Sequence, residues 1–138
     1  EFLVMMSDHV FDAGLLRSLL ASPLPENGCV LLTDPRIDRC FDLDDATKVR
    51  TDGRDLILDM GKRLMTYDCL DTGLFRASRA LLDAVAGCLA QGRSSLTDAN
   101  LALVGQGRMH AGMMRQEDGD WFDLDTPQAL ENYLRRAR

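Results

Sequence analysis

Apolar and polar positions along this chain switch between two periods, and the switches outline its elements. Residues 2–6 form a continuous apolar run closed by Ser7-Asp8-His9, the pattern of a buried strand that ends in a polar loop. Asp12 is placed to cap a helix whose Leu15, Leu16, Leu19 and Leu20 share one face, and Pro23 and Pro25 stop it. Cys29-Val30-Leu31-Leu32 predicts a second apolar strand, closed by Asp34-Pro35. Thr47-Lys48-Val49-Arg50 and Leu56-Ile57-Leu58 flank Asp52-Gly53, a turn signal that predicts a small antiparallel hairpin insert near 37–60. Gly61-Lys62 reads as a loop, and residues 67–77 alternate loosely around Asp71-Thr72-Gly73-Leu74-Phe75.

The second half is more helical. Ser78 or Arg79 opens a helix with Leu81, Leu82, Val85 and Leu89 on one face, ending near Gly92. Ser94-Ser95-Leu96-Thr97-Asp98 caps another, which bears Leu101 and Val104 and stops at Gly105 or Gly107. Residues 109–114 predict a strand, and Asp118-Gly119 turns the chain into Trp121-Phe122-Asp123-Leu124-Asp125. Thr126 caps a terminal helix with Pro127 in its first turn. Strands alternating with helices predict one α/β domain with a mainly parallel sheet, decorated by the hairpin.

Composition narrows the function classes. With 46% hydrophobic and 28% charged residues in 138, the chain has the make-up of one globular domain, which excludes disordered, fibrous and membrane classes. No run approaches the ~20 apolar residues of a bilayer span, so a cytoplasmic protein without direct membrane contact is expected. The net charge of −6 comes from 18 Asp against 4 Glu, opposed by 14 Arg and 2 Lys, and it argues against a nucleic-acid partner. Asp favours caps, turns and metal sites over helix interiors, which directs attention to the loops. Cys29, Cys40, Cys69 and Cys88 are too scattered for a zinc set and read as free thiols.

Four segments can carry chemistry. Asp8, just past a buried strand, can hold Mg²⁺ or can cap the turn that follows. Asp123 and Asp125 alternate, so both carboxylates can face one ligand, although Asp125 also suits the start of a helix. Asp71-Thr72-Gly73 offers hydroxyl-reading groups beside a glycine that permits close approach, or marks a strand bulge. Asp98 is explained by a helix cap, with sugar binding as the other reading, and Lys62 lies in a glycine-containing loop suited to a phosphate or simply solvated.

In their order along the chain, Met6-Ser7-Asp8-His9, Asp71-Thr72-Gly73-Leu74-Phe75, Ser95-Leu96-Thr97-Asp98-Ala99 and Trp121-Phe122-Asp123-Leu124-Asp125-Thr126-Pro127 resemble the nucleotidyltransferase superfamily. They are most similar to the myo-inositol-1-phosphate cytidylyltransferases. The resemblance implies a three-layer Rossmann-like α/β fold with a mixed sheet. It further implies transfer of a nucleotidyl group, CMP from CTP, to inositol 1-phosphate or another polyol or sugar phosphate, with Mg²⁺ and release of pyrophosphate. Asp8 and Asp123 would be the catalytic metal ligands with Asp125 nearby, and Lys62, Asp71, Thr72, Gly73 and Asp98 would bind substrate. The family's domain opens with a strand and a glycine-rich loop containing Arg and Lys, which residues 1–138 do not include. The expectation is therefore the carboxyl-terminal part of one such domain, truncated at its amino terminus and inactive alone, with an exposed sheet edge suited to self-association. Two alternatives are a relative acting on a sugar 1-phosphate or molybdenum cofactor, and a non-catalytic α/β binding or assembly module.

Overall fold

All six residues of β3 (Cys29–Asp34) are buried, and the rest of the sheet is built around this strand. The computed structural model describes residues 1–136. β3 runs antiparallel to β6 (Cys69–Ala77) and parallel to β7 (Met109–Met113). The far side of β6 is shared by β1 (Phe2–Met5), opposite residues 74–77, and β4 (Lys48–Thr51), opposite Cys69 and Leu70. β5 (Ile57–Gly61) completes a six-stranded sheet of order β5-β4-β6-β3-β7 with β1 beside β6.

The sheet is mixed, but β3·β7 is its one parallel pair among the described residues, so the expected mainly parallel sheet is corrected. The long segment containing α2 (Arg79–Leu89) and α3 (Leu96–Gly105) carries the chain from β6 past β3 to β7, whereas β4, β5 and β6 are joined by short loops that favour antiparallel pairing. β1 and β3 do run the same way, yet β6 lies between them and is antiparallel to both.

Helices cover both faces. On one, Leu15 and Leu19 of α1 (Ala13–Ala21) pack on Val30, Leu32, Leu74 and Met114. On the other, Leu81 of α2 (Arg79–Leu89) and Ala99 and Leu103 of α3 (Leu96–Gly105) pack on Leu31, Phe75 and Met109. Strand alternation assigns Leu74 to one core and Phe75 to the other, and the result is three layers. α2 is capped by Ser78, whose hydroxyl accepts from Ala80 N–H. Asp12 stands at the N-cap of α1, but its carboxylate accepts from Asp120 N–H at 2.9 Å rather than from the helix.

A two-stranded antiparallel ribbon, β2 (His9–Phe11) with β8 (Trp121–Asp123), sits beyond the end of the sheet and leads into α4 (Pro127–Arg136). The Trp121 indole N–H donates to Asp34 at the end of β3, at 2.9 Å, and ties the ribbon to the sheet. The Thr126 hydroxyl caps α4 by accepting from Ala129 N–H. The four cysteines are unpaired, and burial pushes the thiols of Cys29 and Cys69 up to about 12. No helix among the described residues is long and apolar enough to cross a membrane.

Candidate active site

The ribbon exists because two short extended segments, each following a structural turn, find one another: His9 pairs with Asp123, Val10 with Phe122 and Phe11 with Trp121. Leu124 N–H donates to the Asp8 carbonyl at 2.9 Å, which brings the loop after β1 against the end of β8. Asp8, His9 and Asp123 each offer a ligand atom within 4.8 Å of the others, and so do Asp45, Asp123 and Asp125. Asp123 belongs to both groups.

The arrangement is costly without a partner. Burial raises the Asp123 carboxyl above the usual carboxylate range, opposed by His9 and reinforced by the charges of Asp125 and Asp8. Its Oδ1 is buried with no hydrogen bond among the described residues. A cluster of carboxylate oxygens with one orphaned acceptor fits a hard divalent cation such as Mg²⁺, which is bound through one or two carboxylates and keeps several waters. The residues therefore fit the metal.

His9 is fixed from the opposite side. Its Nδ1 lies 2.8 Å from the Thr72 carbonyl, which can only accept, so Nδ1 carries the proton and Nε2 faces Asp123 at 3.5 Å. Gly73 is required here. Its φ is +76°, and a Cβ at this position would collide with the His9 ring.

The carboxylates stand in a cleft of about 320 Å³, lined by β6, the ribbon, the loop around residues 39–47 and the first turns of α3. Asp71 and Gly73 face it from β6. Asp71 accepts from Gly73 N–H at 2.7 Å, yet burial pushes its carboxyl up to about 6. Lys62 reaches the cleft rim and pairs with Asp45 at 2.6 Å, so Asp45 is held below the usual range and the Lys62 ammonium above.

Two predicted substrate contacts lie elsewhere. Thr72 is 0% exposed, one position out of phase with Asp71 and Gly73, and its hydroxyl donates to Leu32 O at 2.7 Å inside the sheet. Asp98 stands outside the cleft as the partner of the N-cap Ser95 in the capping box of α3, bonded to the Ser95 hydroxyl at 2.6 Å, which also keeps its carboxyl below the usual range. The cleft is also lined by residues outside the predicted set. Asp45 and Thr47 come from the loop before β4, and Thr97 and Asn100 from α3, and of these four only Thr97 lay in a segment that the sequence singled out for chemistry. The acidic run Asp42-Leu43-Asp44-Asp45 was the available signal for the first pair. Asn100 gave none.

No protein-family model matches the chain. It is 33% identical over 130 residues, 94% of its length, to "Bifunctional IPC transferase and DIPP synthase" of Rubrobacter xylanophilus, of which it spans 28%. The protein of the same name from Aquifex aeolicus is 30% identical over 132 residues and is likewise spanned to 28%. Among solved structures, the inositol-1-phosphate CTP transferase from T. maritima superposes over 98% of this chain and 53% of its own, with a TM-score of 0.81 at 23% identity. The chain thus spans under a third of these bifunctional proteins and about half of the solved transferase. By sequence the chain is similar to part of these bifunctional proteins, and by fold it matches about half of the solved transferase.

Proposed function

We propose that this chain carries the metal- and acceptor-binding part of an enzyme that transfers CMP from CTP to inositol 1-phosphate. The observation that carries the reading is the convergence of Asp8 and Asp123 across the ribbon, at a cleft whose other side presents Asp71 and uncharged polar groups. The relatives' names supply the substrate pair, and the cleft has room for a polyol phosphate.

In this reaction an oxygen of the acceptor phosphate forms a bond to the α-phosphorus of the triphosphate. The α–β bridging bond breaks, and pyrophosphate leaves with the electron pair. Such transfers need positioning and charge neutralisation more than covalent chemistry from the protein. Bound Mg²⁺ supplies Lewis-acid neutralisation of the phosphate oxygens. Asp8 and Asp123 would hold it, with Asp125 beside them, and the Nε2 of His9 would offer its lone pair to the same cluster. Asp71 and Gly73 face the acceptor. Lys62, at the rim with Asp45, places positive charge where phosphate oxygens gather. A CTP-consuming reaction and four unpaired cysteines suit a reducing cytoplasm. On its outer side β1 has no strand partner among the described residues, and Leu3, Met5 and Met6 are exposed, which supports pairing with a further strand or a second copy.

A panel assay tests the reading. Full-length protein is incubated with each of the four nucleoside triphosphates, Mg²⁺, and inositol 1-phosphate or glucose 1-phosphate, and pyrophosphate is measured. Release that requires CTP and inositol 1-phosphate together is expected. Release independent of the acceptor, or none with any pair, would overturn it.

A further inference from the structure

One wall of the cleft is not explained by metal binding. Asn100 is 2% exposed, lies in α3 and lines the cleft. Its Oδ1 is buried without a hydrogen bond among the described residues. A buried amide oxygen without a hydrogen bond is a net cost to folding, and an apolar side chain would pack this position better. Such a group is expected where a ligand completes its hydrogen bonds.

The neighbours on the cleft define that ligand. Thr97 adds a hydroxyl from the same helix, Thr47 another from the loop before β4, and Leu96 and Phe75 supply apolar surface. Asp71 spends one carboxylate oxygen on Gly73 N–H. None of the cleft's cations among the described residues pairs with this wall: Lys62 stands at the rim with Asp45, Arg39 reaches toward Asp120, and Arg136 lies over the Phe122 ring. A phosphate finds no counter-charge among Asn100, Thr97 and Thr47. Uncharged donors and acceptors set among apolar surface suit a ring that carries hydroxyls on its edge and C–H on its faces.

We infer that Asn100 reads the ring hydroxyls of the acceptor, its carboxamide accepting one hydrogen bond and donating another, and thereby sets which polyol phosphate is used. This rests on the cytidylyltransferase reading above, and it adds a specificity-determining residue that the sequence did not offer.

The test compares wild-type full-length protein with Asn100→Leu, using inositol 1-phosphate and the ringless glycerol 3-phosphate as acceptors. The KM for inositol 1-phosphate should rise on the order of tenfold or more, with the KM for CTP within about twofold. The preference for inositol 1-phosphate over glycerol 3-phosphate should fall by a similar factor, and Tm should hold or rise because the orphaned oxygen is gone. An acceptor KM and preference both within about twofold of wild type would overturn the inference. Asn100→Ala, which cannot overpack, repeats the comparison should leucine prove too large. Calorimetric titration with inositol 1-phosphate separates the two proposals. If wild type binds it but transfers nothing, the catalytic reading fails, and Asn100 is judged by whether the variants lose affinity. If wild type does not bind it, both fail.

Discussion

His9 stands directly opposite Asp123 across the β2–β8 ribbon, and its Nε2 approaches the Asp123 carboxylate to 3.5 Å. The contact joins a motif near the start of the chain to one near its end, and the Thr72 carbonyl on the far side of the ring fixes which nitrogen faces inward. An ion bound at this cluster would find the His9 ring already oriented by its hydrogen bond to the Thr72 carbonyl.

Asp123→Asn therefore separates metal binding from folding. Without metal the variant should melt at or above the wild-type temperature, because a crowded, buried carboxylate has been neutralised. Saturating Mg²⁺ should stabilise wild type by about 2.7 kcal/mol at a hundred times Kd and leave the variant unmoved. Thermal melts with and without the ion measure both effects. A variant that still gains stability with Mg²⁺ would place the ion elsewhere.

Gly73→Ala strains a left-handed backbone and drives a methyl group into the His9 ring. We expect a loss of at least about 1–2 kcal/mol from the backbone alone, accompanied by weaker Mg²⁺ binding. Gly53→Ala is the control: its φ is +83°, but nothing lies within 4 Å of the added Cβ. It should show the backbone cost with metal affinity intact, as read by denaturant titration and metal titration of both variants.

The folded-state carboxyl of Asp71 sits at about 6, above its ordinary 3.8. The folded protein therefore binds the proton more tightly than the unfolded chain. The stability this contributes is fully present below about 3.8, is lost as pH rises through about 6, and stays lost at pH 7. Asp71→Asn should remove that slope and raise stability at pH 7 by about 1–3 kcal/mol. Urea denaturation between pH 4 and 7, on the order of one point per half unit, measures it; equal slopes in both proteins would show that Asp71 is ordinarily solvated.

Asp34 behaves in the opposite sense. Burial would raise its carboxyl, but hydrogen bonds from Arg36 at 2.9 and 3.0 Å and from Trp121 at 2.9 Å outweigh it and hold the carboxyl below the usual range. Its contribution is present above the ordinary carboxylate pKa and is lost as pH falls through the depressed one. Asp34→Ala should cost about 1.5–3 kcal/mol, since it removes charge-assisted hydrogen bonds from Arg36, which keeps only Asp120 and the Gly119 carbonyl, and frees the ribbon from the sheet. Chemical denaturation at neutral pH measures the loss, and a change under about 1 kcal/mol would mean that the pair is solvated.

Much of this architecture was legible because burial leaves a local trace. The unbroken Cys29-Val30-Leu31-Leu32 run announced β3, and the one-sided leucines announced α1. Asp8 could be singled out because it lies just past an apolar run, and Asp123 because it alternates with Asp125. Partner choice between strands leaves no such trace: β6 lies between β1 and β3 through contacts across the sheet, so the parallel arrangement read from alternation was not the one formed. A phase of one residue had a similar consequence, turning Thr72 inward while Asp71 and Gly73 face the cleft. On α3, Asp98 and Asn100 are two residues apart, about 200° around the helix, so one caps in solvent and the other is buried in the cleft. A lone polar residue on a short helix reads as solvated, and only the packing of α3 over β5 and β7 reveals otherwise.

Phosphorus NMR of one reaction decides whether the Asp8–Asp123 centre carries nucleotidyl transfer. Full-length protein, CTP, Mg²⁺ and inositol 1-phosphate should give pyrophosphate and, in equal amount, a new diphosphate diester, with Asp8→Ala and Asp123→Ala slower by about a hundredfold or more. Pyrophosphate with CMP and no diester, or a diester formed as fast by the Asp8→Ala protein, would contradict it.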